Sequence, residues 1–171
     1  MYSAKHYQTF DPSFREDLEA SMTSVHLAAA DLVRAFPSIP VQVPPLRIRP
    51  AEHLMNKYSD DGDLFFKNLR IEVKQRRLAF TSLDDFPYND IIVDVAHAWT
   101  KAQQKPYAYI IYNKDLSAKF VILGKTSPEW KIEQKRDRFK NRLRRFALAP
   151  KRCFISWDAF IEVLASELLF L

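Results

Sequence analysis

The stretch DGDLFFKNLRIEVKQRR, residues 61–77, contains acidic and basic residues at spacings that suit phosphodiester chemistry. Asp63 and Glu72 lie nine positions apart, and Lys74 follows two positions after the second acid. Two carboxylates brought together offer hard oxygen ligands to Mg²⁺, which usually takes one or two carboxylates plus waters and substrate phosphate. A neighbouring lysine can orient or deprotonate an attacking water, or stabilise the charge that builds on a phosphate.

A β-hairpin is the element that would bring these side chains together. Residues 70–76 alternate between charged and apolar or neutral positions, which is typical of a strand with one buried face. If residues 67–68 form a two-residue turn, Leu64 pairs with Ile71 and the apolar residues share one face. The opposite, charged face is then expected to meet solvent.

The same register places Asp63 directly opposite Glu72, with Cβ atoms roughly 5 Å apart. Lys74 falls on that face as well. Gly62, one of only two glycines in the chain, precedes Asp63 and leaves room for a phosphate to approach the backbone. The sequence therefore predicts a cross-strand acidic pair with a lysine beside it.

Gly62-Asp63 followed by IEVK at residues 71–74 resembles the PD-(D/E)xK nuclease superfamily. The core of that family is a helix, three strands, a helix and a further strand, which matches residues 12–123 in order. A proline is usual where this chain has Gly62. The resemblance implies a Mg²⁺ site, with Mn²⁺ as a substitute, and it implies roles for four residues. The catalytic residues are Asp63, Glu72 and Lys74, and the metal ligands are the carboxylates of Asp63 and Glu72 and the backbone carbonyl of Val73.

Other interpretations of the acidic residues stay open. Two further acid-x-Lys triplets, at residues 129–131 and 133–135, fall in a predicted helix, where positions two apart do not face each other. Either acid at residues 60–61 could replace Asp63, and Glu16 or Glu19 could add a ligand. The acids at positions 84, 85, 90 and 94 are interpreted as turn and cap residues. A charged, solvated strand face is the alternative for the whole pattern.

Composition indicates one folded domain over residues 1–171, with 47% apolar residues and thirteen Phe. A single cysteine, Cys153, excludes an internal disulfide framework. Neither a secretion signal nor a run of apolar residues long enough for a membrane span is recognised, so a cytoplasmic location is expected, in the host if the chain is phage-encoded.

Positive charge is concentrated near the C-terminus. Residues 131–152 hold ten Lys or Arg and two acids, a net charge of +8, against −3 for the rest of the chain. Such a block indicates a polyanionic partner, with a solvated helix face as the alternative.

Residues 128–148 are predicted to be a helix. Its apolar stripe is Ile132, Phe139, Leu143 and Phe146, and beside it runs a basic stripe of Lys131, Lys135, Arg138, Arg142 and Arg145. These five are the predicted nucleic-acid-binding residues.

The remaining pattern predicts the element order α, β, β, β, α, β, β, α, α. Pro12 begins the first helix, which ends before Pro37, and a proline-rich connector or edge strand follows. A strand changes to helix from Val93 or Asp94, two paired strands lie on either side of residues 113–117, and Ser156 caps the last helix.

These features together predict an α/β protein with a restriction-endonuclease-like mixed sheet flanked by helices. The core spans about 12–123, and a basic helical extension spans about 126–171. The expected function is Mg²⁺-dependent hydrolysis of DNA, with RNA left open, in a protein most similar to phage-type members. The alternatives are a non-catalytic nucleic-acid-binding or virion-associated protein of the same fold, and a module that binds an acidic protein. The sequence leaves the oligomeric state open.

Overall fold

The computed structural model describes residues 12–45, 62–137 and 141–169. Within these segments the chain forms a mixed α/β fold. Its elements are α1 (Pro12–Ala35), β1 (Val41–Gln42), β2 (Leu64–Phe66), β3 (Leu69–Gln75), β4 (Asp90–Val95), α2 (Ala96–Lys101), β5 (Ala108–Tyr112), β6 (Lys119–Leu123), β7 (Lys131–Asp137), β8 (Arg142–Pro150), β9 (Phe154–Ile155) and α3 (Trp157–Leu168). Of the described helices, none is long and apolar enough to cross a membrane.

A mixed sheet with the strand order β1-β2-β3-β5-β6-β9 runs through the middle of the fold. Its neighbouring strands are antiparallel except for β3 and β5, which are parallel. A parallel pair needs a long crossover connection, and β4 and α2 supply it. All five residues of β5 are buried. This explains the nearly continuous apolar run of that strand, which is typical of a strand covered on both faces.

The two faces of this sheet contribute to separate hydrophobic cores. On one face, α1 and α3 bring Leu32 and Phe160 against Ile71 and Ile110. On the other face, Tyr109 belongs to a core rich in aromatic residues that also includes residues of β4 and β8. The charged side of β3 therefore lies between two layers rather than on the outside of the protein.

A second sheet, with the order β4-β8-β7, covers that other face. The pairing of β4 with β8 is antiparallel, is shifted between Ile92 and Asp94, and ends with Val95 opposite Phe146. The chain then turns into α2, while β8 extends further, over residues 142–145. Helix α2 consequently lies where a neighbouring strand would otherwise continue.

The hairpin of β2 and β3 has the register that the sequence predicts. Leu64 pairs with Ile71, and Phe66 pairs with Leu69, which leaves a two-residue turn. Lys67 in that turn has a positive φ of 56°, the backbone conformation that such turns require. The extension of this register by one residue puts Asp63 opposite Glu72.

Several other predicted elements are confirmed. Helix α1 spans Pro12–Ala35 and ends before Pro37, and β1 in the following connector is an edge strand of the sheet. β5 and β6 form the predicted pair, and the Ser156 hydroxyl caps α3 by accepting a hydrogen bond from the N–H of Ala159. The helix expected from Val93 or Asp94 begins only at Ala96, because both residues belong to β4.

The predicted basic helix over residues 128–148 is wrong. This segment holds a short 3-10 helix, Gly124–Glu129, followed by the antiparallel strands β7 and β8. Strand β8 has a partner on each side, because it forms hydrogen bonds with β7 and with β4. The C-terminal part is therefore built into the fold through β7, β8 and β9, and it is not a helical extension.

The five predicted DNA contacts consequently do not form one stripe. Cross-strand partners share a face, and Lys135 pairs with Arg144 whereas Gln134 pairs with Arg145. Lys131, Lys135 and Arg142 therefore lie on one face of the hairpin, and Arg145 lies on the other. Arg138 is outside the described residues, as are the acids at residues 60–61.

Candidate active site

Asp63 immediately precedes β2, and its side chain reaches the edge of β3. Its Oδ2 accepts a hydrogen bond from the backbone N–H of Val73 at 2.7 Å. In a strand, the N–H and C=O of one residue point to the same edge, and successive residues point to opposite edges. The backbone groups of Arg70 and Arg76 form hydrogen bonds on the side of β5, so those of Val73 point to the side of β2. The carbonyl of Val73 therefore points to the same side as Asp63. Asp63 and this carbonyl form an oxygen-rich corner at the open end of the hairpin.

Glu72 lies beside that corner, in the middle of β3, and its side chain is only 3% exposed. Arg70 donates to Oε1 twice, from Nε at 3.0 Å and from Nη2 at 2.6 Å. Lys74 donates to Oε2 from Nζ at 3.1 Å. A buried carboxylate without such partners would be strongly unfavourable, so these two cations are what allow Glu72 to remain charged inside the protein.

The prediction that this face of β3 meets solvent is therefore wrong. Tyr109 of β5 lies directly across from Glu72, and Ile111 lies across from Lys74. Both belong to the core beneath the second sheet. Of the three charged side chains Arg70, Glu72 and Lys74 on this face, Lys74 keeps the largest exposed fraction, 28%, so the site can be reached along Lys74.

Opposing effects set the ionisation of Glu72 and Lys74. Burial disfavours the carboxylate, but the charges of Lys74 and Arg70 outweigh burial and lower the pKa of Glu72. Burial likewise disfavours the ammonium, yet the carboxylates of Glu72, Asp63 and Asp94 raise the pKa of Lys74 above its ordinary value. Lys74 is therefore a stable cation at neutral pH. It can stabilise negative charge, but in this ion-paired state it does not take a proton from water.

Asp94 is a member of this cluster that the sequence analysis assigned to turn chemistry. It follows the irregularity in β4, and its Oδ1 accepts a hydrogen bond from the N–H of Val95 at 2.7 Å. The Tyr109 hydroxyl donates to Asp94 Oδ2 at 3.1 Å. A bulge of this kind redirects a side chain. No signal in the sequence places Asp94 near Lys74, because β4 belongs to a different sheet.

Burial and the negative charges of Asp94 and Glu72 raise the pKa of Tyr109. The tyrosine therefore stays protonated and acts as a hydrogen-bond donor between the two sheets. Arg76 makes a second connection, since Nη2 donates to the carbonyl of Ile92. Burial lowers the pKa of Arg76, and the charge of Asp94 opposes that effect. Tyr109 and Arg76 thus connect β4, which carries Asp94, to the sheet that carries Asp63 and Glu72.

Gly62 has a role different from the one predicted. Its φ is +88°, and a Cβ atom at this position would lie 2.9 Å from Nε of Arg70. The open space beside Gly62 is filled by the Arg70 side chain and is not left for a phosphate. Proline cannot adopt this backbone conformation, because its ring fixes φ near −65°. A proline could therefore not replace Gly62 without a change of the local backbone.

Trp99 and Trp130 pack against each other beside the acidic cluster. Their rings lie 4.8 Å apart at the centroids, and both contact the ring of Tyr109. Trp130 also donates from Nε1 to the Thr126 hydroxyl at 3.0 Å. The three rings form a partly buried wall beside the acidic cluster.

The donors at the hairpin corner match a hard divalent cation in chemical type, namely two carboxylates and a backbone carbonyl. Across the described residues, however, no group of three or more His, Cys, Asp or Glu side chains is arranged to hold a metal. Arg70 also occupies Oε1 of Glu72. A metal at Glu72 would thus have to share or displace this guanidinium. Glu16 and Glu19 belong to the part of α1 whose side chains are not described.

On the β7–β8 hairpin, several of the predicted DNA contacts are already in ion pairs. Lys131 contacts Asp90 and Glu133, both at 2.7 Å, and Lys135 contacts Glu133 at 3.1 Å. These pairs are exposed, so solvent screens them and they contribute little to stability. The positive charge of residues 131–152 is therefore partly compensated on the face that carries Lys131 and Lys135.

Comparison with known proteins adds no identification. A scan against protein-family models gives no match, and no curated protein or solved structure matches the chain significantly.

Proposed function

We propose that this protein is a nuclease that uses a divalent cation to hydrolyse phosphodiester bonds at the cluster of Asp63, Glu72 and Lys74. The observation that carries the proposal is the hairpin register. It brings Asp63 to the N–H of Val73, and the charges of Asp63 and Glu72 both act on Lys74. The order of α1, β1 to β3, α2 and a β5 parallel to β3 is also the order of a restriction-endonuclease-like core, with β4 inserted.

In hydrolysis a water oxygen forms a bond to phosphorus, the bond to the leaving oxygen breaks, and that oxygen ends protonated. Lys74, as a persistent ammonium, is suited to stabilise the charge that develops on the phosphate oxygens. Arg70 keeps the Glu72 carboxylate ionised and oriented. The metal would be held by Asp63, Glu72 and the Val73 carbonyl. When bound, Mg²⁺ supplies a Lewis acid and lowers the pKa of a coordinated water.

The test is cleavage of circular, linear and branched DNA and of RNA, with Mg²⁺ or Mn²⁺ against EDTA. The most informative variant is Asp63→Asn, because an amide oxygen can still accept the N–H of Val73 while the charge is lost. We expect it to abolish metal-dependent cutting and to leave nucleic-acid binding in EDTA unchanged or tighter. Lys74→Ala should cost on the order of 10² in rate, as the loss of one transition-state donor does.

The matched control is Asp85→Asn. The Asp85 carboxylate also accepts backbone N–H groups, from Thr81 and Ser82, but in an exposed loop. Cutting should survive this substitution. If the unmodified protein cuts none of these substrates with either metal, or if Asp63→Asn cuts as well as the control, the nuclease proposal is wrong.

A second candidate is a non-catalytic nucleic-acid-binding protein with the same fold. The observation that favours it is the pairing of both oxygens of Glu72, with Arg70 and with Lys74, which neutralises the carboxylate without any metal. In that case, binding in EDTA and in Mg²⁺ should be equal and no substrate should be cut. Tighter binding in Ca²⁺ or Mg²⁺ that disappears in Asp63→Asn would speak against this candidate.

A further inference from the structure

An open groove of about 590 Å³ lies between α2 and the part of β8 that extends past β4. Helix α2 contributes His97, Thr100 and Lys101 to its walls, and β8 contributes residues 142–145. The groove exists because β4 stops pairing at Val95 and the chain turns away as a helix. It is therefore a product of the backbone path, and the sequence pattern alone did not indicate it.

The groove is lined by cations on both sides. Lys101, Arg142 and Arg145 are exposed, whereas Arg144 is mostly buried and pairs with Asp137 at 2.9 Å. Among the described residues that line the groove there is no carboxylate. Arg142 and Arg145 lie on opposite faces of the hairpin. Both line the groove because it runs along the edge of β8, where side chains of either face can reach it. Cations on two walls, without acids between them, suit a chain of phosphates.

The groove also begins close to the acidic cluster. His97 lies three residues after Asp94, and the Asp94 charge acts on both His97 and Lys74. A strand that follows the groove would therefore run towards Lys74, whose side chain is 28% exposed. The exposed apolar side chains of Ile132 and Leu143, 44% and 64% exposed, border the same path and can contact sugars.

We propose that this groove binds the phosphodiester backbone of a nucleic-acid strand, with Lys101, Arg142 and Arg145 as the phosphate contacts. The proposal shares a nucleic-acid partner with the proposed nuclease activity, but it does not depend on the chemistry. It differs from the basic stripe expected from the sequence in adding Lys101 and His97 and in excluding Lys131 and Lys135.

The test compares two double variants with equal loss of charge, Lys101→Ala/Arg142→Ala and Lys131→Ala/Lys135→Ala. Binding of a fluorescent single-stranded DNA 20-mer is measured in EDTA over a range of salt concentrations, so that metal-dependent cutting cannot interfere. We expect the groove variant to bind tenfold or more weakly, and its salt slope to fall by about 1.4, because each phosphate contact on a single strand contributes about 0.7. The control variant should retain most of its affinity.

Equal weakening of the two variants would contradict the proposal, since it would mean that net charge alone governs binding. RNA and duplex DNA of the same sequence identify which nucleic acid fits best, and the groove variant should lose affinity for each form that binds. A polyglutamate competitor that displaces DNA at a matched charge concentration would instead indicate an acidic protein as the partner. Arg145→Ala, measured alone, should show a smaller loss of affinity in the same direction.

His97 provides an independent readout of the same location. Burial and the charges of Arg144, Lys101 and Arg142 lower its pKa, and Asp94 opposes them. A phosphate in the groove would favour the imidazolium, so binding should take up a proton and become tighter as the pH falls from about 7.5 to about 5.5. His97→Gln should lose most of this increase. The same pH dependence in His97→Gln and in the unmodified protein would contradict the proposed location.

Discussion

The hairpin of β2 and β3 and the hairpin of β7 and β8 both carry charged side chains at alternating positions, but in opposite environments. The side chain of Glu72 in the first hairpin is 3% exposed and is held by two cations, Arg70 and Lys74. Glu133 in the second is 37% exposed in its side chain and also contacts two cations, Lys131 and Lys135. A carboxylate between two cations is therefore found once inside the protein and once at the surface.

The environment decides what each set can do. Charges inside the protein interact strongly and lose much if one partner is removed, so their geometry is fixed. Charges on the surface are screened by salt, and their pairs are worth little. The first hairpin is therefore suited to hold groups at defined distances for chemistry. Cations beside the second hairpin are suited to exchange weak partners for a polyanion.

Removal of Arg70 should have the largest effect. Arg70→Ala leaves the buried Glu72 with one cation in place of two, and the loss of a partner from a buried ion pair costs on the order of 3 kcal/mol. Urea denaturation measures this difference. Arg145→Ala on the exposed hairpin is the control and should stay within about 0.5 kcal/mol of the unmodified protein. Similar stabilities for the two variants would remove the distinction between the hairpins.

The next largest difference should appear in the free energy of unfolding at acidic pH, to which Glu72 and Glu133 should contribute unequally. Because the pKa of Glu72 is lowered by folding, its contribution is complete above the ordinary value of 4.5 and is lost as the pH falls through its folded pKa. Glu72→Gln should therefore flatten the decline of unfolding free energy with acid. Glu133→Gln should flatten it much less, although hydrogen bonds from Lys131 and Lys135 also lower the pKa of Glu133, because solvent screens that exposed group. A larger change in Glu133→Gln would contradict this ranking.

Part of this organisation could be predicted from the sequence. The alternation in residues 70–76 and the apolar pair of Leu64 with Ile71 were enough to give the register of the first hairpin. The same alternation suggested that the charged face of β3 is exposed to solvent. The apolar run of β5 indicates the opposite, because a strand covered on both faces implies that its neighbour β3 is covered as well.

The second hairpin could not be predicted in this way. Ile132, Leu143 and Phe146 are spaced as on a helix, but Ile132 and Leu143 prove to be exposed strand residues. Its turn contains Asn141 with a φ of 46° and no glycine, so the usual hairpin signal is absent. Asp94 was missed for another reason. Its position depends on how two sheets stack, and no local pattern contains that information.

A smaller effect is expected at the glycine that precedes the site. Gly62→Ala must place a Cβ atom at a φ of +88° and against Arg70. The backbone strain alone is about 1–2 kcal/mol. Thermal unfolding measures the loss, and cleavage or DNA binding in the same variant reports whether the displaced Arg70 also disturbs Glu72. Unchanged stability would show that the hairpin tolerates a shift of Arg70.

The turns of the two hairpins should show the smallest difference. Lys67 and Asn141 both have a left-handed backbone, with φ of 56° and 46°. Lysine is strained in this conformation and asparagine much less so. Lys67→Gly should therefore stabilise the protein by up to about 1 kcal/mol. Asn141→Gly should gain less, since it also loses the hydrogen bonds that Asn141 accepts from Arg136. The order of the two melting temperatures is the measurement.

The final two described elements complete the sheet on which the candidate site is built. β9 pairs with β6 at the sheet edge, and α3 brings Phe160 and Leu164 onto the face opposite Glu72. During synthesis, all the strands of the active-site hairpin emerge before this cover exists. A nascent chain that has not yet reached residue 154 therefore presents an unpaired β6 edge and an open apolar face. We therefore expect productive folding to wait for the C-terminal segment, and we expect a chain that lacks it to aggregate more readily than the full chain.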